Sequence, residues 1–271
     1  MVYKLKDLGF SNEIYKNYEE VIHKPHGIVL VTGPTGCGKT TTLYATLIEL
    51  NKDEVNIMTV EDPIEYEVPG ITQSQINVKA GLTFPIALRS ILRQDPDIIL
   101  VGEIRDIETA TIAIQAALTG HMVFSTLHTN DAAGALTRLI DMGVEPFLIS
   151  SSVEAILAQR LVRLICNKCK VEVEVPDDIK KKFPYLTKTY KGKGCKICKN
   201  TGYKGRIGIF EFMMIDDNIR KMISDKKDSA EIKKYAISKG MKTLFEDGME
   251  KVNSGLTSLD EVLRVTELDQ I

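Results

Sequence analysis

Short apolar runs alternate with longer amphipathic stretches over the first half of the chain. The runs predict strands at residues 28–31, 55–60, 98–101 and 122–127, with a hairpin arm at 71–76. Helical spacing of apolar positions predicts helices at 40–50, 83–94, 107–118, 131–142 and 146–158. Because buried strands that alternate with helices are typical of a parallel sheet covered by helices, we predict an α/β fold with a parallel-rich sheet.

The second half of the chain has a different pattern. Residues 160–206 contain two cysteine pairs, and residues 207–271 are expected to be mostly helical, with helices at 231–239 and 241–253 and a short last helix from 256. We therefore predict four parts: a lead-in segment at 1–22, a nucleotide-binding core at 23–159, a cysteine module at 160–206 and a helical subdomain at 207–271.

Composition and charge narrow the class of protein. The chain has 271 residues, of which 44% are hydrophobic and 27% charged, as in globular proteins. Its first residues lack the apolar core of a signal peptide, so we expect a cytoplasmic protein. The net charge of −2 conceals a basic segment, since residues 160–206 hold 14 Lys and Arg against 4 Asp and Glu. That segment is either an interaction surface or a solvated face.

A phosphate-binding loop is the most specific motif. Gly33, Pro34, Thr35, Gly36, Cys37, Gly38, Lys39 and Thr40 follow a predicted strand and precede a predicted helix that continues with Thr41. In such loops, glycines allow backbone N–H groups to surround the phosphates, the lysine adds a positive charge, and the threonine hydroxyl binds Mg²⁺. We expect a thiolate-stabilising environment for Cys37, because it lies close to a helix N-terminus and Lys39.

The four remaining cysteines form two Cys-x-x-Cys pairs, Cys166 with Cys169 and Cys195 with Cys198. Four thiolates at this spacing favour a tetrahedral, structural Zn²⁺ site, and no ligand position is left for a catalytic water. Redox-active thiols are the main alternative.

Polar side chains follow three of the predicted strands. Glu61 follows the second strand, Glu103 and Arg105 the third, and His128 the fourth. Because the carboxyl ends of parallel strands lie beside the phosphate loop, these groups are candidates for a hydrolytic site. His121 has a simpler interpretation, since it can cap the preceding turn.

These motifs together resemble the ATPases of type II secretion and type IV pilus assembly. The similarity includes residues 33–40, 61–65, 93–97, 98–106 and 119–129, both cysteine pairs, residues 205–211 and the tail at 241–266, and so covers essentially the whole chain. The resemblance implies the motor region of the family, with a RecA-like P-loop fold, and the cysteine pairs favour the assembly or secretion branch over the retraction branch.

The resemblance also implies roles for residues and partners. Glu61 is implied as the base that polarises the attacking water, Glu103 as a Mg²⁺ ligand, and His128, with His121, as the group that couples γ-phosphate loss to motion. The catalytic arginines are expected among Arg89, Arg93 and Arg105. The implied cofactors are ATP, Mg²⁺ and Zn²⁺. The implied assembly is a homo-hexamer that works with an inner-membrane platform protein, at the cytoplasmic side of the inner membrane, without specific nucleic acid.

Two departures from the family pattern bear on activity. Cys37 stands where the family usually has serine. In addition, the family carries a domain before the core that closes over the nucleotide, and the short lead-in segment cannot supply one, so we expect slow turnover by this chain alone. A nucleic-acid translocase with a zinc ribbon, and a nucleotide-binding assembly subunit without efficient turnover, remain alternative interpretations.

Overall fold

The computed structural model describes residues 3–175, 177–184 and 186–266. Within them, a seven-stranded sheet has the order β3-β2-β4-β5-β1-β6-β9. Its strands are β1 (Gly27–Thr32), β2 (Ile57–Glu61), β3 (Thr72–Gln75), β4 (Ile98–Val101), β5 (Met122–Leu127), β6 (Val153–Ile165) and β9 (Tyr203–Met214). All neighbours pair in parallel except β6 and β9, which are antiparallel. The predicted α/β class with a parallel-rich sheet is confirmed.

Helices cover both faces of this sheet. Helices α1 (Asn12–Ile22) and α2 (Lys39–Leu50) lie on one face. Helices α3 (Phe84–Ile91), α4 (Ile107–Leu118), α5 (Ala132–Asp141) and α6 (Pro146–Ser152) lie on the other. That second core continues under α8 (Asp217–Ser224), α9 (Ser229–Ser238), α10 (Leu244–Asn253) and α11 (Leu259–Thr266). The interior strand β1 is buried throughout because its side chains alternate between the two cores.

The lead-in segment is part of the first core. The Tyr18 side chain on α1 is fully buried, and its ring packs against Phe10 and Phe212. Its hydroxyl forms a 2.8 Å hydrogen bond with Thr46 on α2. The amphipathic pattern at 1–22 is therefore explained by packing against the sheet.

Two predicted elements were wrong. Residues 72–75 do not form a hairpin arm, because β3 pairs with β2 in parallel, with Met58 opposite Thr72. The helix expected at 146–158 ends at Ser152, where serine hydroxyls donate to carbonyls of the preceding helical turn, and β6 begins at Val153. Helical spacing and a strand buried on both faces give similar apolar patterns over so short a stretch.

The cysteine module is inserted between β6 and β9. It contains the antiparallel pair β7 (Lys170–Val173) and β8 (Thr189–Gly192) and helix α7 (Asp177–Lys182). The expected boundaries at 159/160 and 206/207 fall inside β6 and β9. The predicted helical subdomain at 207–271 therefore begins with residues 207–214 of a strand in the main sheet. Val175 and Leu186 are buried in the core beneath the C-terminal helices. The last five residues of the predicted 207–271 part lie outside the described residues.

No helix in the described part of the chain combines the length and the apolar character that crossing a membrane requires.

Candidate nucleotide-binding site

The phosphate loop joins β1 to α2 at the carboxyl edge of the sheet. Gly38 precedes α2 with φ +91°, in the left-handed region that favours glycine. Gly33 has φ +150°, and a Cβ there would lie 2.5 Å from the carbonyl oxygen of Gln159. The Lys39 Nζ donates to the carbonyl oxygens of Gly33 at 2.8 Å and Pro34 at 3.1 Å. These contacts hold the lysine across the loop, beside the free N–H groups of the first helical turn.

A cleft of about 700 Å³ opens beside this loop. The predicted residues that line it are Thr35, Gly36, Gly38, Lys39, Thr40, Thr41, Glu103, Arg105 and His128. Polar backbone groups at a helix N-terminus and a lysine suit the phosphates of a nucleotide. The fold thus brings most of the predicted nucleotide-binding residues together at one cavity.

Three polar side chains meet on the wall of the cleft. The Glu103 Oε2 lies 2.7 Å from the Arg105 Nε and 3.5 Å from the His128 Nε2. The Glu103 side chain is 14% exposed, whereas the His128 and Arg105 side chains are 46% and 72% exposed. A largely shielded carboxylate beside an exposed guanidinium and an imidazole is suited to orienting a water molecule or a hydrated cation.

Glu61 lies beneath the cleft and is not one of its lining residues. It is 3% exposed and accepts a hydrogen bond from Thr59 at 2.6 Å and one from Tyr44. Gln73 donates to it at 3.2 Å. Burial and the bond to Glu61 raise the pKa of Tyr44, which keeps the phenol protonated as a donor. Glu61 is therefore enclosed by donors and does not line the cleft, and its role as the base of the reaction stays a prediction.

Other predicted residues also lie away from the cleft. Arg93 is exposed near the end of α3 and contacts Ser90, and Arg89 pairs with Glu108 on α4. His121 lies at the start of β5, at the opposite edge of the sheet, where its Nδ1 bonds the Ala116 carbonyl at 2.8 Å. The capping interpretation of His121 fits this contact. Arg105 is the predicted arginine that lines the cleft of this chain.

The cleft also has walls that sequence reasoning missed. Leu161 on β6 and Arg206 on β9 line it, together with Asp62, Glu65, Tyr66, Phe84 and Thr126. Leu161 and Arg206 were assigned to the cysteine module, because the pattern did not reveal two strands that return to the main sheet. Asp62 and Glu65 belong to the 61–65 acidic segment, and their place in it could have indicated that they line the cleft.

Cys37 differs from its prediction as well. It is 4% exposed, and its burial raises the pKa of the thiol, although Lys39 and Arg160 oppose that shift. Desolvation of a thiolate thus outweighs the nearby positive charge. Partial burial likewise lowers the pKa of Lys39.

The four cysteines of the module come together as a compact cluster. The Sγ atoms of Cys166 and Cys195 are 3.9 Å apart, and those of Cys169 and Cys198 are 3.8 Å apart. Four sulfurs around one Zn²⁺ at about 2.3 Å are separated by about 3.8 Å, whereas a disulfide would hold two of them at about 2 Å. Backbone N–H groups of Cys195 and Gly202 point to the Cys198 Sγ. The donor set and its spacing therefore fit a tetrahedral zinc ion.

With this geometry in hand, comparison with known proteins identifies the family. The profile of the family described as "Type II/IV secretion system protein" matches residues 1–264. The chain belongs to this family. It is 53% identical over 269 residues to the type IV pilus assembly ATPase PilB of Thermus thermophilus, a match that covers 97% of this chain and 30% of that protein. It is 52% identical over 269 residues to the type II secretion system ATPase E of Vibrio cholerae, covering 97% and 53%.

Solved structures of this kind share the fold. The crystal structure of the pilus retraction motor PilT with bound ADP superposes with a TM-score of 0.73 at 28% identity, covering 100% of this chain and 70% of PilT. The Legionella pneumophila ATPase DotB gives a TM-score of 0.71 at 25% identity, covering 98% and 65%. The resemblance inferred from the motifs is confirmed. The chain spans about half or less of the length of these curated relatives.

Proposed function

We propose that this chain is the ATP-hydrolysing motor region of a protein that powers type IV pilus assembly or type II secretion. The observation that carries the proposal is the single cleft that combines the phosphate loop with Glu103, Arg105 and His128. The printed names of its relatives, ATPases of pilus assembly and type II secretion, support the same reaction and the same two machines.

Within the cleft, each residue has a proposed task. Lys39 and the N–H groups of residues 35–41 hold the phosphates, and the Thr40 hydroxyl with Glu103 would hold Mg²⁺, which neutralises phosphate charge when bound. Glu103 replaces Glu61 as the group that orients the attacking water, because it lines the cleft and Glu61 does not. His128 contacts that carboxylate and is placed to respond to the γ-phosphate.

The assembly is proposed by similarity of sequence and by the exposure of two arginines. Arg89 on α3 and Arg93 just after α3 lie outside the cleft of their own chain, so they are candidates to act on a neighbouring subunit in a homo-hexamer. The proposed partners are the inner-membrane platform protein and the rest of the machinery, reached from the cytoplasmic side. The same proposal includes a structural Zn²⁺ bound by the cysteine cluster. It also includes the division of the chain into a lead-in segment, a nucleotide-binding core, a cysteine module and a C-terminal subdomain.

Substitutions of the charged groups test this function. We expect Lys39→Ala to weaken ATP–Mg²⁺ binding, because it removes a phosphate contact. Glu103→Gln should retain nucleotide binding and lower hydrolysis by roughly 10²–10⁴-fold, the usual contribution of a positioned acid or base. Glu61→Gln should mainly lower thermal stability. Steady-state hydrolysis and fluorescent-nucleotide binding measure these effects, with exposed Glu20→Gln as the matched control.

Three outcomes would change the proposal. A Glu61→Gln variant that binds nucleotide but has lost hydrolysis, beside an active Glu103→Gln variant, would restore Glu61 as the base. Nucleotide binding without turnover in every assembly state would favour an assembly subunit that does not hydrolyse ATP. No nucleotide binding by the unsubstituted chain would refute the function itself.

A further inference from the structure

Strand β6 runs alongside β1 and continues past it, beside the phosphate loop. The two strands pair in parallel until Thr32 lies opposite Ala158. The next two residues of β6, Gln159 and Arg160, therefore lie beside the first residues of the loop. Consecutive strand residues point to opposite faces of a sheet. One of these side chains consequently reaches the α2 side of the loop, and the other reaches the α5 side.

Gln159 bridges the phosphate loop and the helix that follows it. Its side-chain Nε2 donates to the Cys37 carbonyl at 2.7 Å, and its Oε1 accepts from the Thr42 hydroxyl at 2.8 Å. The residue is 2% exposed, so water does not replace either bond readily. One amide thus fixes the loop and the first turn of α2 at a set position relative to β6.

Arg160 makes the corresponding contact on the other face. Its Nη2 donates to the Asn130 carbonyl at 2.8 Å, and its Nη1 donates to the Gln159 carbonyl at 3.1 Å. The residue is 5% exposed, and no ion pair joins it to a carboxylate among the residues that the structure describes. Burying a guanidinium without an anionic partner costs free energy, and the hydrogen bonds to the two carbonyls offset part of that cost.

The segment that Arg160 holds carries His128 into the cleft. Asn130 follows His128 by two residues, and Thr129 between them bonds the Thr32 hydroxyl at 2.6 Å between oxygens. The end of β1 and the guanidinium of Arg160 thus hold this short loop from two sides. At the start of this loop, the His128 Nε2 lies 3.5 Å from the Glu103 Oε2.

We propose that Gln159 and Arg160 are positioning residues for the nucleotide reaction. Gln159 fixes the phosphate loop in its binding conformation, and Arg160 fixes the loop that brings His128 to the γ-phosphate. Neither residue lines the cleft, so both act through other residues. The inference rests on the proposed function, since it assigns two further residues to the same site.

Substitutions at the two positions should change the affinities for ADP and for an ATP analogue in different ways. Gln159→Leu removes both hydrogen bonds at similar volume, so it should weaken ADP and a non-hydrolysable ATP analogue alike, by about tenfold. Arg160→Met should leave ADP affinity nearly unchanged and lower analogue affinity by about tenfold, because only the analogue has a γ-phosphate. A general loss of folding would not separate the two ligands in this way.

The experiment measures both affinities for the full chain with Mg²⁺, using exposed Gln115→Leu and exposed Arg138→Met as matched controls. Arg160→Met is also combined with His128→Ala. Because Arg160 is proposed to act through the His128 loop, its loss should cost little further analogue affinity once His128 is absent. If Arg160→Met does not fold, Arg160→Lys takes its place, with a smaller expected loss because the ammonium can still donate to one of the two carbonyls.

The results separate this inference from the function on which it rests. If the unsubstituted chain binds neither ligand, the proposed function fails. If it binds both, and Gln159→Leu and Arg160→Met match their controls, the positioning roles are overturned and the function stands. Additive losses in the Arg160 and His128 double variant would likewise overturn the role of Arg160.

Discussion

Burial separates the polar groups around the phosphate loop into those that line the cleft and one that is enclosed beneath it. Glu103, Arg105 and His128 line the cleft, whereas Glu61 is enclosed by donors beneath it. Three donors enclose the Glu61 carboxylate, and it connects β2, β3 and α2 through Tyr44 and Gln73. A single residue therefore cannot be assigned a catalytic role from its place after a strand alone.

The buried thiol of Cys37 leads to a prediction about its reactivity. Because burial raises the pKa of its thiol, little thiolate is present at neutral pH, and the loop shields it further. We expect iodoacetamide to label Cys37 at least about tenfold more slowly in the native chain than in concentrated guanidinium. The native rate should rise as pH increases above the ordinary thiol pKa, because the raised pKa moves ionisation to higher pH.

Mass spectrometry of the labelled chain measures this rate, with the denatured sample as its own control. Rapid labelling of native Cys37 at neutral pH would contradict the burial argument and favour the low-pKa thiol that the sequence suggested.

Between elements, a few buried charges dock the C-terminal helices on the sheet. On α10, Asp247 accepts from the Phe210 N–H of β9 at 2.8 Å and pairs with Lys251 at 2.6 Å. On α11, Glu261 accepts from the Arg163 backbone of β6 at 2.9 Å and from its guanidinium at 2.7 Å, and Arg264 adds two bonds at 3.0 Å. These contacts determine where each helix lies against its strand, because apolar packing alone does not fix a helix along its axis.

Glu261 makes the stability depend on pH. Burial opposes its ionisation, but hydrogen bonds from Arg163 and Arg264 outweigh burial and lower the pKa to about 2 from an ordinary 4.5. The carboxylate therefore adds stability above about pH 4.5, and this contribution is lost as pH falls through 2. We expect Glu261→Gln to lower the free energy of unfolding by about 2 kcal/mol at pH 7, with the difference shrinking at acidic pH.

Urea unfolding of both proteins across that pH range checks this expectation. Glu250→Gln is the matched control, because Glu250 pairs with Lys242 on the surface and should contribute less than about 1 kcal/mol. Equal losses from the two substitutions, or a Glu261 effect independent of pH, would show that the pair with Arg163 is not what anchors α11.

For the whole molecule, the sheet joins two distant sites. The phosphate loop lies at the carboxyl end of β1, and β6 and β9 extend from that region to the cysteine cluster. The module also packs into the main core through Val175 and Leu186, and Phe183 contacts Phe245 on α10. The rest of the module thus has anchors in the main core, and we expect the cluster to hold only the cysteine loops themselves.

Removal of the metal tests this division. We expect one zinc per chain, and we expect chelation or Cys195→Ser to increase hydrogen exchange at residues 166–169 and 195–202, because metal ligation supplies the folding energy of these loops. Strands β1, β4 and β5 should keep their protection. Cys37→Ser is the matched control and should retain the zinc.

Metal analysis and hydrogen exchange give the two measurements. Freshly prepared, reduced protein without zinc would contradict the site, and exchange that rises equally in β1 would contradict its local role.

The sequence alone determined the local chemistry of this protein. The phosphate loop, the strands at 98–101 and 122–127, the helix at 107–118 and the cysteine pairs could be predicted, because each depends on residues close together in the chain. Glu103 and His128 could be placed at the site because parallel strands end at one edge.

Tertiary structure decided everything that depends on distant partners. Residues 153–158 of β6 were predicted to be helical, and residues from 160 were assigned to the cysteine module. Gln159, Arg160 and Leu161 could therefore not be connected with the phosphate loop, and Arg206 on β9 was equally hidden. The burial that encloses Glu61 and raises the pKa of Cys37 comes from side chains up to 122 positions away, such as Gln159 at the Cys37 carbonyl. Local propensity indicates which secondary structure a segment forms. The free energy of ionising a side chain depends instead on which groups surround it after the chain has packed.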